Sequence, residues 1–113
     1  MNARERRLAE NESLFRDLNE EVGVVAHSFS RDGEERTFDF LCECSDAACA
    51  TAVPLTLAAY EELRRSPVRF LVVPGHESAD VEIVVEAHDR YLVVEKVGEA
   101  AEIARERDPR SRG

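Results

Sequence analysis

The sequence predicts an α+β fold: a small antiparallel sheet carrying two or three helices, a long N-terminal amphipathic helix, and a zinc-stabilised core. Three observations point there. Apolar residues recur at helical spacing near the start and at strand spacing from residue 36 onward. Turn-forming residues separate short segments after that. All three cysteines fall in one octapeptide, Cys42 to Cys49. The length of 113 residues is one domain's worth, and 43% hydrophobic with 35% charged residues is the composition of a soluble globular unit, not of a disordered chain.

The first element is a helix from Ala3 to Val22. Leu8, Phe15 and Val22 recur every seven residues with Leu14 and Leu18 beside them, which makes a narrow apolar stripe that also carries Asn11. Gly23 is expected to stop this helix, leaving Val24 to Phe29 as a linking strand or irregular segment. Ser30-Arg31-Asp32-Gly33 reads as a turn, since Asp-Gly supplies the backbone freedom of a tight reversal. Arg36 to Cys42 alternates polar and apolar residues, the period of a half-buried strand. After the cysteines, Thr56 is placed to cap a helix over Leu57 to Arg65, which Ser66-Pro67 ends. Arg69 to Val73 is a nearly continuous apolar run, hence a buried strand, closed by Pro74-Gly75. Val81 to Glu86 fits a short helix by spacing and a strand by its β-branched content. Tyr91 to Lys96 is a strand, and Gly98 to Arg107 a last helix with Ala101, Ile103 and Ala104 inward. This divides the chain into an N-terminal helix (1–23), a compact Cys3His metal-binding α+β unit (24–109) and a flexible tail (110–113).

Fifteen basic against 24 acidic residues leave a formal charge of −9, which opposes binding to nucleic acid. No apolar run approaches the roughly 20 residues that span a bilayer, and the first residues lead into charge, not into a signal-peptide apolar stretch. A cytoplasmic protein with no membrane partner is the expectation.

The chemistry concentrates in Leu41-Cys42-Glu43-Cys44-Ser45-Asp46-Ala47-Ala48-Cys49. If Cys42 and Cys44 end a strand, their side chains leave from the same face, and Cys49 can return on the following loop. A structural zinc site needs a fourth ligand and accepts Cys3His. His76, in Pro74-Gly75-His76-Glu77 directly after the buried strand, is the candidate; His27 and His88 are the alternatives. Glu43, Asp46 and Glu77 neighbour these ligands and read as supporting or solvated groups. A Cys42–Cys44 disulfide would close a strained ring and leave one cysteine over. Redox-active thiols and small buried hydrophobes are the other readings of the three cysteines. Thiolate with imidazole suits zinc and also iron–sulfur clusters, but the distance from Cys49 to His76 disfavours a [2Fe–2S] pattern. No Ser-His-Asp pattern, G-x-G-x-x-G, Walker motif or H-E-x-x-H is present. Without the first helix and the tail the compact part is about 75 residues, a size at which a core alone rarely supplies more than about 3–5 kcal/mol, whereas structural zinc contributes roughly 10–16 kcal/mol near neutral pH, so a bound metal would decide folding.

Asn11 to Glu20, Phe40-Leu41-Cys42-Glu43-Cys44, Pro74-Gly75-His76-Glu77, Val93-Val94-Glu95-Lys96 and Gly98-Glu99-Ala100 … Asp108-Pro109-Arg110 occur in that order. Together they resemble a family of small actinobacterial proteins with an FLCEC…C…PGHE pattern. The resemblance covers nearly the whole chain and implies that Cys42, Cys44, Cys49 and His76 belong together, but it brings no settled activity. Lys96 is the only lysine, so the positive charge is almost all arginine, as GC-rich coding would favour.

The function expected from these residues is that of a non-enzymatic, cytoplasmic, zinc-binding small domain acting in protein interaction or regulation. A protein partner or a second copy would be met through the N-terminal helix. The alternative is a redox thiol switch in which oxidation of the zinc thiolates ejects the metal. A zinc hydrolase would need an open coordination position.

Overall fold

The computed structural model describes residues 3–29, 36–46 and 48–112. Among them are three α-helices, α1 (Ala3–Phe29), α2 (Leu57–Leu63) and α3 (Gly98–Glu106), and five strands, β1 (Thr37–Leu41), β2 (Ala52–Thr56), β3 (Arg69–Val72), β4 (Glu82–Ala87) and β5 (Leu92–Lys96). The strands form two small antiparallel sheets, β1-β2 and β3-β5-β4, in keeping with the α+β fold and long first helix expected from the sequence. No helix among the described residues is long and apolar enough to cross a membrane.

The two sheets differ because their sequences differ. In β2, Val53 and Leu55 turn inward while Ala52 and Pro54 are exposed, the alternation of a strand with one buried face. Pro54 lies opposite Asp39 and is tolerated because a two-stranded sheet has only edge strands. The sequence alone predicts no strand at Ala52–Thr56, where Pro54 interrupts the run. In the other sheet, β5 is central and β3 buries Phe70, Leu71 and Val72, so both faces are covered, as its continuous apolar run requires. Val81 to Glu86, open between helix and strand, resolves as β4, with a bulge between Val84 and Glu86. Thr56 caps α2 as expected, its Oγ1 accepting from the Ala59 N–H at 3.1 Å.

Two buried clusters make up the core. One joins Cys42, Cys44 and Cys49 to Val68, Phe70, Val72, Leu92, Val94, Ala101 and Ala104. The other gathers Phe40, Val53, Leu55, Tyr60, Leu63, Leu71 and Val93, with the Phe40 and Tyr60 rings stacked at 4.3 Å.

Helix α1 departs from expectation in two ways. It runs through Gly23 to Phe29, so Val24 to Phe29 is helical and not a linking strand. Gly23 is buried against the Tyr60 ring, where a Cβ would lie 3.5 Å from the nearest ring carbon. Its inward face is also not the predicted apolar stripe. Phe15 is buried, but Leu14 and Leu18 are 56% and 39% exposed, and Glu12, Ser13, Arg16 and Asn19 take the interior positions. Glu12, Arg16 and Asn19 can be buried because each finds a partner across the domain, so hydrogen bonds and ion pairs outweigh the hydrophobic period here.

Residues 30–33, read as a turn, lie outside the described residues. At the C-terminus Pro109–Arg112 forms a 3-10 turn, and Arg110 bonds Glu20 and Glu61.

Candidate metal centre

The segment after β1 passes from one sheet to the other. The Cys42 N–H donates to the Thr51 carbonyl at 2.9 Å, continuing the hairpin, while the next N–H, of Glu43, donates to Leu71 of β3 at 2.6 Å. Backbone alternation in this extended stretch sends Cys42 and Cys44 to one side and Glu43 to the other. The chain then reverses: Asp46 accepts from the Ala48 N–H at 2.9 Å through Oδ1 and from the Cys49 N–H at 3.0 Å through its carbonyl, which brings Cys49 back.

The fourth residue arrives from the far side of β3. Val73 to His76 is a tight turn closed by the His76 N–H on the Val73 carbonyl at 2.9 Å, with Gly75 at φ +93°. Proline at the second position and glycine with positive φ at the third are what a type II turn demands, and Pro74-Gly75 supplies both. The first residue of this turn donates its N–H to the Cys42 sulfur at 3.2 Å, and the last presents its imidazole to the same thiol.

Cys42 Sγ and Cys49 Sγ each lie 3.6 Å from His76 Nδ1, and one ligand atom from each of Cys42, Cys44, Cys49 and His76 falls within 4.8 Å of the others. A tetrahedral ion bound at about 2.3 Å to sulfur and about 2.0–2.1 Å to nitrogen sets its sulfur and nitrogen ligands about 3.6 Å apart. The quartet therefore fits a single metal ion in spacing as well as in donor type. The cysteines are buried and none forms a disulfide, while His76 is exposed beside a cavity of about 220 Å³ lined by Cys44, Ser45, Asp46 and Gly75.

Burial, hydrogen bonds and the thiols' own proximity set their protonation. Burial pushes Cys42 far above the ordinary thiol range, with the neighbouring Cys44 and Cys49 adding to it and the Val73 N–H opposing. Cys44 is raised too, first by burial. At Cys49, burial is outweighed by hydrogen bonds from Thr51, Cys44 and His76, which bring it down to about 7. Three thiols this close resist joint ionisation, and a cation among them removes that resistance.

The four sequence-predicted ligands are all brought together, and neither alternative histidine joins them. His88 is exposed, bonded to Glu86 at 2.9 Å and stacked on Tyr91. His27 is exposed on α1 and lines a separate cavity with Glu20, Gly23, Glu61 and Arg110. Asp46 shapes the turn, and Glu77 accepts the Gly75 N–H at 2.7 Å.

Glu43 is the fully buried neighbour of the cysteines. Its Oε1 accepts from the Leu71 N–H at 3.0 Å and pairs with Arg16 at 3.4 Å; its Oε2 accepts from Asn19 at 3.0 Å. Arg16 also donates to the carbonyls of Pro67 at 2.9 Å and of Arg69, and stacks over Phe70 at 3.6 Å. Asn19 bonds both backbone groups of Leu41. Sequence reasoning missed Arg16 and Asn19. The signal for them is a row of polar residues at 12, 16 and 19, which share one helix face.

No family model matches the chain, and no curated protein and no solved structure matches it.

Proposed function

We propose that this is a non-enzymatic, zinc-stabilised interaction domain in which Cys42, Cys44, Cys49 and His76 hold one Zn²⁺. The observation that carries the reading is the convergence of three thiols and an imidazole within 4.8 Å. Four protein ligands close a tetrahedral site and leave no position for the water a zinc hydrolase needs. A [2Fe–2S] cluster has two irons and would hold its two ligand pairs farther apart than this quartet. Unpaired cysteines at such density suit a reducing compartment, which supports the cytoplasm as location.

Helix α1 supplies the interaction face. Leu14, Leu18, Val25 and Phe29 are exposed along one flank, and Leu18, Val22 and Val25 line a groove of about 410 Å³ with Leu41, edged by Glu21 and Asp39. The net charge of −9 and these two carboxylates favour a protein partner with an apolar, basic segment over a second copy, which would bring like charges together. Dimerisation in sedimentation that Leu18→Glu abolishes would instead identify the second copy.

The metal reading is tested by elemental analysis with an absorbance spectrum on protein purified without oxygen. One equivalent of zinc in a colourless protein that loses cooperative unfolding on chelation is the expected result. A preparation free of metal would overturn it.

A second reading rests on the cavity that opens beside Cys44 and His76. Through it a small oxidant such as peroxide would meet Cys44 first. Two thiolates would be oxidised to a disulfide as peroxide and two protons become two waters, releasing Zn²⁺. Stoichiometric, reversible zinc release at modest peroxide would favour it.

A further inference from the structure

We infer that docking of α1 and occupation of the metal centre form one linked equilibrium, transmitted through Glu43; this rests on the metal reading above. Ligands and anchors alternate along a single extended segment. Cys42 and Cys44 face the metal position, while Leu41, Glu43 and Ser45 between and beside them are gripped by α1. Asn19 holds both backbone groups of Leu41, Asn19 and Arg16 hold the Glu43 carboxylate, and Asn11 donates to the Ser45 carbonyl at 3.1 Å.

The segment cannot present its thiols in one arrangement and its anchors in another, because adjacent residues share one backbone. The fully buried Glu43 carboxylate makes the coupling steep. If the segment shifts, that carboxylate must either keep Arg16 and Asn19 or leave for water, since the Leu71 N–H alone supplies no counter-charge and a buried charge without one is strongly disfavoured. Helix α1 buries little apolar surface of its own, with Ala9, Phe15 and Ala26 the hydrophobic residues inside. It is held instead by bonds that weaken steeply with distance and angle. Metal binding, which fixes the segment, therefore fixes α1. By reciprocity α1 raises metal affinity by the factor with which the metal favours its docking.

Zinc affinity, measured by competition with a chromophoric chelator at pH 7, tests the linkage when joined to hydrogen exchange of the zinc-loaded and chelated full chain. Asn19→Ala is expected to weaken zinc binding by about 10- to 100-fold, the range for residues that orient metal ligands. Asn11→Ala should weaken it less, and Leu14→Ala, on the exposed flank of the same helix, should leave it unchanged. Chelation should speed exchange in residues 9–26 more than in β4, which lies at the opposite edge of its sheet from β3. Wild-type zinc affinity in Asn19→Ala, or equal α1 exchange with and without zinc, overturns the linkage while one equivalent of bound zinc leaves the metal reading standing. No zinc uptake by the wild-type protein overturns both. Should Asn19→Ala fail to fold, Asn11→Ala and the wild-type exchange comparison decide the matter.

Discussion

Asn19 acts toward Leu41 as a strand neighbour would. Its Nδ2 donates to the Leu41 carbonyl at 2.8 Å and its Oδ1 accepts the Leu41 N–H at 2.7 Å, so one side chain completes both hydrogen bonds of an edge residue. The end of β1 thus gains a second partner without a third strand, at the point where the chain turns into the metal ligands. A helix used in this way must carry polar residues inward, and the rest of α1 follows suit.

Gly75 is the first position at which the metal centre can be perturbed without touching a ligand. Its φ of +93° is unfavourable for any side chain, although the space around it is open. Gly75→Ala should cost about 1–2 kcal/mol through backbone strain alone and should weaken zinc binding by turning His76 away. Gly98, at φ +59° as the first residue of α3, is the control. Gly98→Ala should destabilise comparably in urea unfolding and leave zinc affinity as it was.

Gly23 predicts the opposite sign. It sits in the interior of α1, and an added Cβ would meet the Tyr60 ring at 3.5 and 3.8 Å, ordinary contact distances. Gly23→Ala should therefore stabilise by about 0.5–1 kcal/mol, the usual helix-interior difference. Gly23→Phe, too large for the space under Tyr60, should destabilise. Thermal unfolding of the zinc-loaded proteins distinguishes the two.

Lys96 lies buried between two carboxylates, bonded to Glu12 of α1 and Glu82 of β4, with the Phe70 ring 5.1 Å away. Lys96→Met should cost about 3–5 kcal/mol, because it strands buried carboxylates without a counter-charge. Adding Glu12→Gln and Glu82→Gln should recover much of that loss. Urea midpoints of the single and triple variants measure both effects.

The same triad gives a pH dependence with a definite sign. Burial raises Glu12 from 4.5 to about 7; Lys96 opposes this and Glu82 reinforces it. The folded state then holds this proton more tightly than the unfolded state. Its contribution is complete below pH 4.5 and is lost as pH rises through about 7. Glu12→Gln has no such proton to lose, so its stability relative to wild type should climb between pH 5 and 7.5. Glu20 runs the other way. Against burial, hydrogen bonds from Arg110, Tyr60 and Arg64 bring it down to about 2, so it stabilises above pH 4.5 and fails toward pH 2.

The ligand set was legible because its geometry is local. Two cysteines one residue apart on an extended chain, a third on the return loop and a Pro-Gly turn before a histidine each carry a short-range structural meaning. The inner face of α1 was not, since its polar residues are satisfied only by groups far along the chain: 27 residues separate Arg16 from Glu43, and 84 separate Glu12 from Lys96. Hydrophobic periodicity therefore selected Leu14 and Leu18, which the fold leaves outside. Gly23 misled for a related reason. A glycine late in a helical pattern reads as a helix end, but α1 continues past Gly23, which packs against Tyr60.

The burial of Lys96 has a consequence for how this protein meets reagents and modifying enzymes. It is the only lysine in the sequence, and the fold leaves it 4% exposed. An acylating label, an amine crosslinker or an acetyl-transferring enzyme finds no lysine ε-amine on the folded surface, however many carboxylates surround it. Acylation at residue 96 would accordingly report only molecules that had opened, which makes one side chain a built-in gauge of unfolding.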